Sequence, residues 1–447
     1  MATTYSARGA APDTARPYIE QFDRLHAGLP GAALSWLTDL RRQGRDRFAE
    51  IGFPTVRNET WKYTNLRALD KLTFEPASAV PGAGIDTLPT VRAVGSEGPR
   101  LVFVDGHFRA ELSVVSGLPA GVELLSFADA LKTRPDFLAE HLGRLATADN
   151  LPLVALNTAF LADGAVLNVP RGVVVEQPIE IIYLTLGAED RPTAFHPRTL
   201  IVAEEKAEVT VVEHHVGFGG NSTLANHVDE VFVADGATVR HYKVQREGEQ
   251  AFHLSHTAAR VGTNGHYDNF ILTTGARLSR NEVRSELAGT DASTHVSGAY
   301  MVRGQQHCDT STFIDHAQPN CTSREVYKGV LDNSARAVFQ GKIMVRRDAQ
   351  KTDGYQINRA LLLSDGAEID SKPELEIYAD DVKCSHGATI GELDEDALFY
   401  LRARGIEKDA ARGLLIGAFL AEAIEEVTDE TVREAFQEIA SNWMAGR

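Results

Sequence analysis

The sequence is short of several features, and each shortage excludes a class of protein. Its 447 residues include three cysteines, Cys308, Cys321 and Cys384, which are too few for a disulfide framework and fit a reducing cytoplasm. A net charge of −17 argues against a nucleic-acid surface, which needs clustered lysine and arginine. The late apolar run Leu414–Ala421 is too short to span a bilayer, and the first residues hold no apolar stretch long enough for a signal peptide. No Walker-type phosphate loop is present, so we expect any ATP to be hydrolysed by a partner.

What is present is the composition of an ordinary soluble protein, 43% apolar and 24% charged, in a chain long enough for two or three domains. Apolar residues recur at helical spacing from Pro17 to about Phe53. From about residue 151 the sequence becomes β-branched and is divided by Gly and Pro, and helical patterns return after Gly391. These changes predict an N-terminal helical and mixed region (1–150), a β core (151–392) and a C-terminal helical region (393–447).

The β core contains a recurring turn sequence. Asp-Gly-Ala occurs at 163–165, 235–237 and 365–367, each time before an apolar or alternating stretch. Many short strands with recurring small-residue turns favour stacked repeats such as a β-helix. Because the period is irregular, an elongated antiparallel sandwich remains an alternative.

The C-terminal region carries a broad apolar stripe on one predicted helix. We expect this helix to pack against the last helix, from Thr428 to Trp443, and the pair to cap the solenoid. A stripe this wide also suits the docking of a partner. The residues of the stripe are Ala411, Leu414, Leu415, Ala418 and Phe419.

The stretch DDVKCSHGATIG (380–391) places a cysteine and a histidine two positions apart. In a β-strand Cys384 and His386 would share one face, since side chains alternate. Thiolate and imidazole both bind Fe(II), and a nearby histidine can lower the pKa of a cysteine. Two ligands make only half of a closed site, so the others must come from elsewhere, including another chain. The alternative is a small buried cysteine beside a structural histidine.

Two further stretches are candidates for which packing is the favoured interpretation. HCDTSTFIDHAQPNC (307–321) is rich in sulfur and imidazole but matches no zinc-ribbon or ferredoxin spacing. TWKYTNL (60–66) is interpreted as an aromatic anchor between the N-terminal region and the core, in preference to a platform for a flavin or nucleotide.

Four stretches together resemble the SufB/SufD family of iron–sulfur cluster assembly proteins. They are 350–405, which contains LSDGAEIDS and KCSHGAT, 155–179, NETWKYTNL (58–66) and LVFVDG (101–106). The resemblance implies a right-handed parallel β-helix between helical ends, in a non-enzymatic scaffold subunit. Such subunits pair with a SufB-like subunit, receive a SufC-type ATPase on the C-terminal helices, and help to build a nascent iron–sulfur cluster.

The resemblance also assigns residues. It places His386 at the cluster site between subunits and assigns Cys384 to the same site. Whether the isolated chain forms a homodimer and whether it binds a flavin stay open. SufB-like chains have a cysteine near LSDGAEIDS, where this chain has Ala367, and the cysteines here all lie in the last third. The chain is therefore similar to the SufD side of the family, and a purely structural adaptor of SufB and SufC is the alternative function.

Overall fold

The computed structural model describes residues 13–79, 98–218 and 220–446, so part of the chain start considered for a signal peptide lies outside the described residues. The helices are α1 Arg16–Leu25, α2 Ser35–Ile51, α3 Phe127–Thr133, α4 Pro135–His141, α5 Pro152–Ala159, α6 Glu395–Ala403, α7 Lys408–Ile424 and α8 Glu430–Ala445. The early strands are β1 Glu75–Pro76, β2 Arg100–Val104, β3 His107–Phe108, β4 Glu123–Ser126, β5 Gly164–Val169, β6 Ile179–Thr185, β7 Thr193–Phe195 and β8 Arg198–Ala203. The later strands are β9 Glu208–Gly217, β10 Thr223–Val233, β11 Thr238–Arg246, β12 Phe252–Val261, β13 His266–Thr273, β14 Leu278–Leu287, β15 Ser293–Val302, β16 His307–His316, β17 Thr322–Leu331, β18 Arg336–Val345, β19 Asp353–Leu362, β20 Glu368–Ile377 and β21 Lys383–Gly391.

From β8 onward successive strands go alternately to two sheets. One sheet runs from β8 through the even-numbered strands to β20, and the other runs from β6 through the odd-numbered strands to β21. All of these pairs are parallel, as where Thr238 of β11 pairs with Glu208 of β9 and with His266 of β13. The chain therefore forms a parallel β-solenoid of about eight turns, which confirms the predicted β-helix and rules out the antiparallel sandwich.

The predicted Asp-Gly-Ala turns lie at corners of the solenoid. They directly precede or open β5, β11 and β20. Gly236 has a φ of +68°, a left-handed conformation that glycine adopts without a Cβ penalty. The alanine after the glycine is buried at each corner, where a larger side chain would have to displace the apolar interior.

Residues just after 151 were predicted to be extended, but Pro152–Ala159 is helix α5. Proline fits the first turn of a helix, and seven of the eight residues are buried. The helix packs against α2, where a Cβ at Gly44 would come within 2.7 Å of the Ala155 carbonyl oxygen. Packing against α2 therefore stabilises this helix, although its sequence shows only weak helical periodicity. The division into regions 1–150, 151–392 and 393–447 stays a prediction.

The helices pack on the outer faces of the two sheets. N-terminal apolar residues cover Leu224, Phe252 and Leu254 on the sheet of even-numbered strands. The C-terminal helices cover Tyr242 and Phe270 on the other sheet. The prediction that the C-terminal helices cap the solenoid is therefore wrong, because a flat apolar sheet face buries more of the helices than the end of the stack would.

The buried stripe of α7 is also rotated from the predicted one. Ala411 is buried as expected, but Leu414 and Ala418 are exposed and Leu415 and Phe419 are half-buried. The helix carries apolar residues around most of its circumference, so periodicity alone could not select the face that meets the sheet. The face that does so consists of Ile416, Leu420, Ala423 and Ile424.

Candidate functional site at the open end of the solenoid

The last two strands form an open end. Within the described residues β20 pairs only with β18 and β21 pairs only with β19, so each leaves one edge without a neighbouring strand. Three large apolar side chains are exposed at this end, namely Ile377, Tyr378 and Ile390. An unpaired edge of this length is a ready template for pairing with another chain.

His386 and Cys384 both lie on β21, as the sequence predicted. In the parallel ladder Cys384 pairs with Gly354 and His386 pairs with Gln356. Paired residues project to the same side of a sheet, and Gln356 is fully buried, so His386 extends an interior row of side chains to the open end. The two candidate residues share this interior-facing side of β21.

Cys384 is a half-buried thiol above a glycine. A Cβ at Gly354 would lie 3.4 Å from the Cys384 Sγ, and Cys384 packs against the apolar interior. Burial raises the pKa of this thiol above its ordinary value. The direction of this shift is opposite to the lowering that a nearby histidine can cause, since burial is its largest cause.

His386 is exposed, and no hydrogen bond of its imidazole is found among the described residues. It continues a polar row that we call the interior column, formed by Glu325, Gln356 and His386 on β17, β19 and β21. The Gln356 amide donates to a carboxylate oxygen of Glu325. Burial raises the pKa of Glu325 to about 7, although the hydrogen bond from Gln356 favours the ionised carboxylate. The exposed imidazole at the open end is therefore followed inward by a buried amide and then by a buried carboxyl group.

The contacts of the stretch 307–321 fit the packing interpretation. Cys308 is fully buried, and burial raises the pKa of its thiol to about 12. His316 Nε2 lies 2.8 Å from Ser323 Oγ, and the Cys321 thiol donates to the Gly289 carbonyl oxygen. His316 and Cys321 thus contact separate partners, and the side chains of this stretch are not among the groups of potential metal ligands in the described part of the chain.

TWKYTNL acts as the anchor that the sequence favoured. Trp61 is buried, and the Arg280 guanidinium carbon lies 4.0 Å from the centroid of its ring. Thr64 bonds to His307 and Asp309 on β16. The contacts fasten the N-terminal region to the outer face of the sheet, and the guanidinium occupies a face of the indole on which a planar cofactor would stack. A cavity of about 290 Å³ lies beside the anchor.

Sequence reasoning missed a group of buried ionisable residues between the two sheets. His215, His227 and His253 come together from β9, β10 and β12, and all three are buried. Glu213, Asp229, His241 and Lys243 lie beside them. The three strands also carry other polar and charged residues, so no single histidine stands out in the sequence. No spacing shows that the three meet, because their proximity depends on the register of the stacked turns.

Comparison with known protein families agrees with this architecture. The model of the SUF system FeS cluster assembly SufBD core domain matches residues 184–419, and that of the SufBD N-terminal region matches residues 13–181. The chain belongs to the SufBD family. Its core match covers most of the solenoid, the open end with His386, and most of α7.

Relatives in this family span nearly the whole chain. An iron–sulfur cluster assembly SufBD family protein of Synechocystis is 33% identical over 409 residues, which cover 90% of each chain. The iron–sulfur cluster assembly protein SufD of Escherichia coli is 31% identical, covering 88% of this chain and 90% of its own. SufD of Bacillus subtilis is 28% identical, covering 93% and 95%. Among the described residues, no helix combines the length and apolar character needed to cross a membrane.

Proposed function

We propose that the chain is a SufD-like scaffold subunit that pairs with a SufB-like subunit through its open end and helps to assemble a nascent iron–sulfur cluster there. The observation that carries the proposal is the unpaired edge of β20 and β21, with exposed Ile377, Tyr378 and Ile390 around it. Strand pairing with a second solenoid would satisfy the free backbone groups and cover these side chains. The same surface suits a homodimer when the SufB-like partner is absent.

His386 is the residue to which we assign a chemical role. Its imidazole is exposed on β21 and is a suitable ligand for Fe(II), while the cluster itself is cargo that leaves the site. Cys384 is the second proposed ligand, although its half-buried thiol must first lose a proton. A partner must supply the remaining ligands, because these two residues complete only half of a four-coordinate set.

The C-terminal helices are the proposed docking site of a SufC-type ATPase. Phe399 on α6 is 74% exposed and Leu414 on the adjoining α7 is 55% exposed, and Tyr400 is also exposed. Large apolar side chains grouped on one part of a surface are a feature of interaction sites. ATP hydrolysis belongs to this partner in our proposal, and the chain itself is a non-enzymatic scaffold. Its free thiols fit the cytoplasm.

The test is reconstitution of the three subunits with His386→Ala. We expect the complex to form normally, since loss of one exposed imidazole changes stability little, and the yield of iron and acid-labile sulfide to fall about tenfold or more. Ser385→Ala is the matched control, because this exposed neighbour points to the other side of β21. Cys384→Ser should give a smaller loss. A full yield from His386→Ala in an intact complex would reject the chemical role and favour an adaptor that only positions SufB and SufC.

A further inference from the structure

Three histidines meet in the interior of the solenoid, far along the chain from the open end. The ring centroids of His215 and His227 are 4.3 Å apart, and the ring of His253 lies 5.0 Å from the first and 5.4 Å from the second. One nitrogen from each ring lies within 4.8 Å of the other two. All three side chains are at most 1% exposed. We call them the histidine triad.

The nitrogens of the triad divide into two sets. His215 Nε2 lies 3.0 Å from Glu213 Oε2, and His253 Nδ1 lies 2.7 Å from Glu247 Oε1. Within the described residues no hydrogen-bond partner exists for His215 Nδ1, for His253 Nε2 or for either nitrogen of His227. A buried polar atom without a partner is costly, so a group of them at one point indicates a missing ligand.

This pattern is the one found around metal-bound histidines. A ligating imidazole usually donates its other N–H to a carboxylate, which fixes the ring and its tautomer. Glu213 and Glu247 occupy that position for two of the three rings, and Glu247 is held in turn by the side-chain amide of Gln245.

The neighbouring charges favour a cation over a neutral occupant. Glu213, Asp229 and Glu247 are buried acidic side chains in this part of the interior, and Lys243 Nζ lies 3.2 Å from Asp229 Oδ2 and 3.6 Å from Glu213 Oε2. Among these acidic and basic side chains, three carboxylates and one ammonium leave an excess of two negative charges. A dication would offset both. The second group of potential ligands, Glu213, Asp229 and His241, already has the Lys243 ammonium beside it and needs no metal.

We propose that His215, His227 and His253 bind one divalent first-row transition-metal ion, Zn(II) or Fe(II), inside the solenoid. Imidazole is a good ligand for both ions, and three histidines leave a fourth position for water. In a tetrahedral site with metal–nitrogen bonds of about 2.0–2.1 Å, each pair of histidine nitrogens would have to move closer together by at most about 1.5 Å. The triad is remote from solvent, so the ion enters during folding and stabilises the interior. This inference does not depend on the proposed function of His386.

The test is to refold the full chain from guanidinium with Zn(II), with Fe(II) under anaerobic conditions, or with Co(II), and to measure the metal retained after dialysis by mass spectrometry. We expect about one equivalent of Zn(II) or of Fe(II), and tetrahedral d–d absorption bands with Co(II). Competition between equal concentrations of Zn(II) and Fe(II) identifies the preferred ion. Loss of all three metals on dialysis of the folded wild-type chain would overturn the proposal and assign the nitrogens to buried water.

Variants locate the ion. His227→Phe should retain less than one tenth of an equivalent and lose the Co(II) bands, because the phenyl ring fills the space but has no nitrogen. The matched control is His316→Gln, which replaces a buried histidine outside the triad and should retain the full equivalent. Cys384→Ser/His386→Ala should also retain it. Metal that persists in folded His227→Phe, metal lost with the Cys384 and His386 substitutions, or iron accompanied by equal sulfide would each overturn the proposal.

Discussion

Replacing Glu325 by glutamine should stabilise the protein at neutral pH and remove part of the pH dependence of its stability. The carboxyl group is fully buried on β17 below the open end, where it accepts a hydrogen bond from the Gln356 amide. Burial raises its pKa from 4.5 to about 7 in the folded chain. Glutamine has nearly the same shape, keeps an oxygen for Gln356, and carries no charge.

The magnitude follows from the two pKa values. Between pH 4.5 and 7 the folded chain keeps a proton on Glu325 that the unfolded chain has lost, so the free energy of unfolding falls as pH rises. The full effect, about 3 kcal/mol, follows from 1.36 kcal/mol per pKa unit and is complete above pH 7. Below pH 4.5 both states are protonated and the term vanishes. The difference between Glu325→Gln and wild type should therefore grow by about 3 kcal/mol between pH 4.5 and pH 8.

Urea unfolding followed by circular dichroism at constant ionic strength measures this difference across the pH range. Subtraction of the wild-type curve removes the contributions of every other titrating group. Asp380→Asn is the control, since this carboxyl group is exposed on the loop before β21 and its removal should give a difference that changes little with pH. A difference for Glu325→Gln that stays flat from pH 5 to pH 8 would refute the argument, because the carboxyl group would then have the same pKa in both states.

One further substitution tests a buried ion pair, and another tests the proposed docking surface on α7. Arg198→Met should lower the free energy of unfolding by about 3–5 kcal/mol, because Arg198 Nη2 lies 2.7 Å from Glu230 Oε2 and the substitution leaves a buried carboxylate without its cation. In urea unfolding, the double variant Arg198→Met/Glu230→Gln should recover part of this loss. A free energy of unfolding for Arg198→Met equal to that of wild type would contradict the prediction. Leu414→Asp should change the free energy of unfolding by less than about 0.5 kcal/mol but weaken the binding of the ATPase partner measured by calorimetry. The control Ser441→Asp, at an exposed position on α8, should leave this binding intact. Equal affinity of both variants for the partner would exclude α7 from the docking surface.

Local sequence signals predicted the features that depend on local structure. The Asp-Gly-Ala turns identified three corners, and alternation along β21 placed Cys384 and His386 on one side. The resemblance to the SufB/SufD family, confirmed by the family matches, added the helical ends. Each of these inferences uses the conformational preference of a few adjacent residues or the sequence of short motifs.

The missed features depend on contacts between distant residues. The triad needs β9, β10 and β12 to stack in one register, since a shift of one residue in any strand would turn its histidine to the other face. The buried face of α7 was ambiguous because two adjacent stripes are both apolar, and only the shape of the sheet selects Ile416 and Leu420. The raised pKa of Cys384 arises from neighbours on β19 and from the interior below.

The two ends of the solenoid differ, and the difference gives the proposed pairing its direction. At the first end the antiparallel pairs of β2 with β3 and of β4 with β5 end the sheets, and N-terminal helices pack around them. At the other end, within the described residues, β20 and β21 end the sheets without such antiparallel partners and expose Ile377, Tyr378 and Ile390. Antiparallel strands that fold back block further parallel stacking, so among the described residues the β20 and β21 end is the one that suits the proposed pairing with a second solenoid. The interior column ends there with His386, on the surface where we propose that the partner subunit binds.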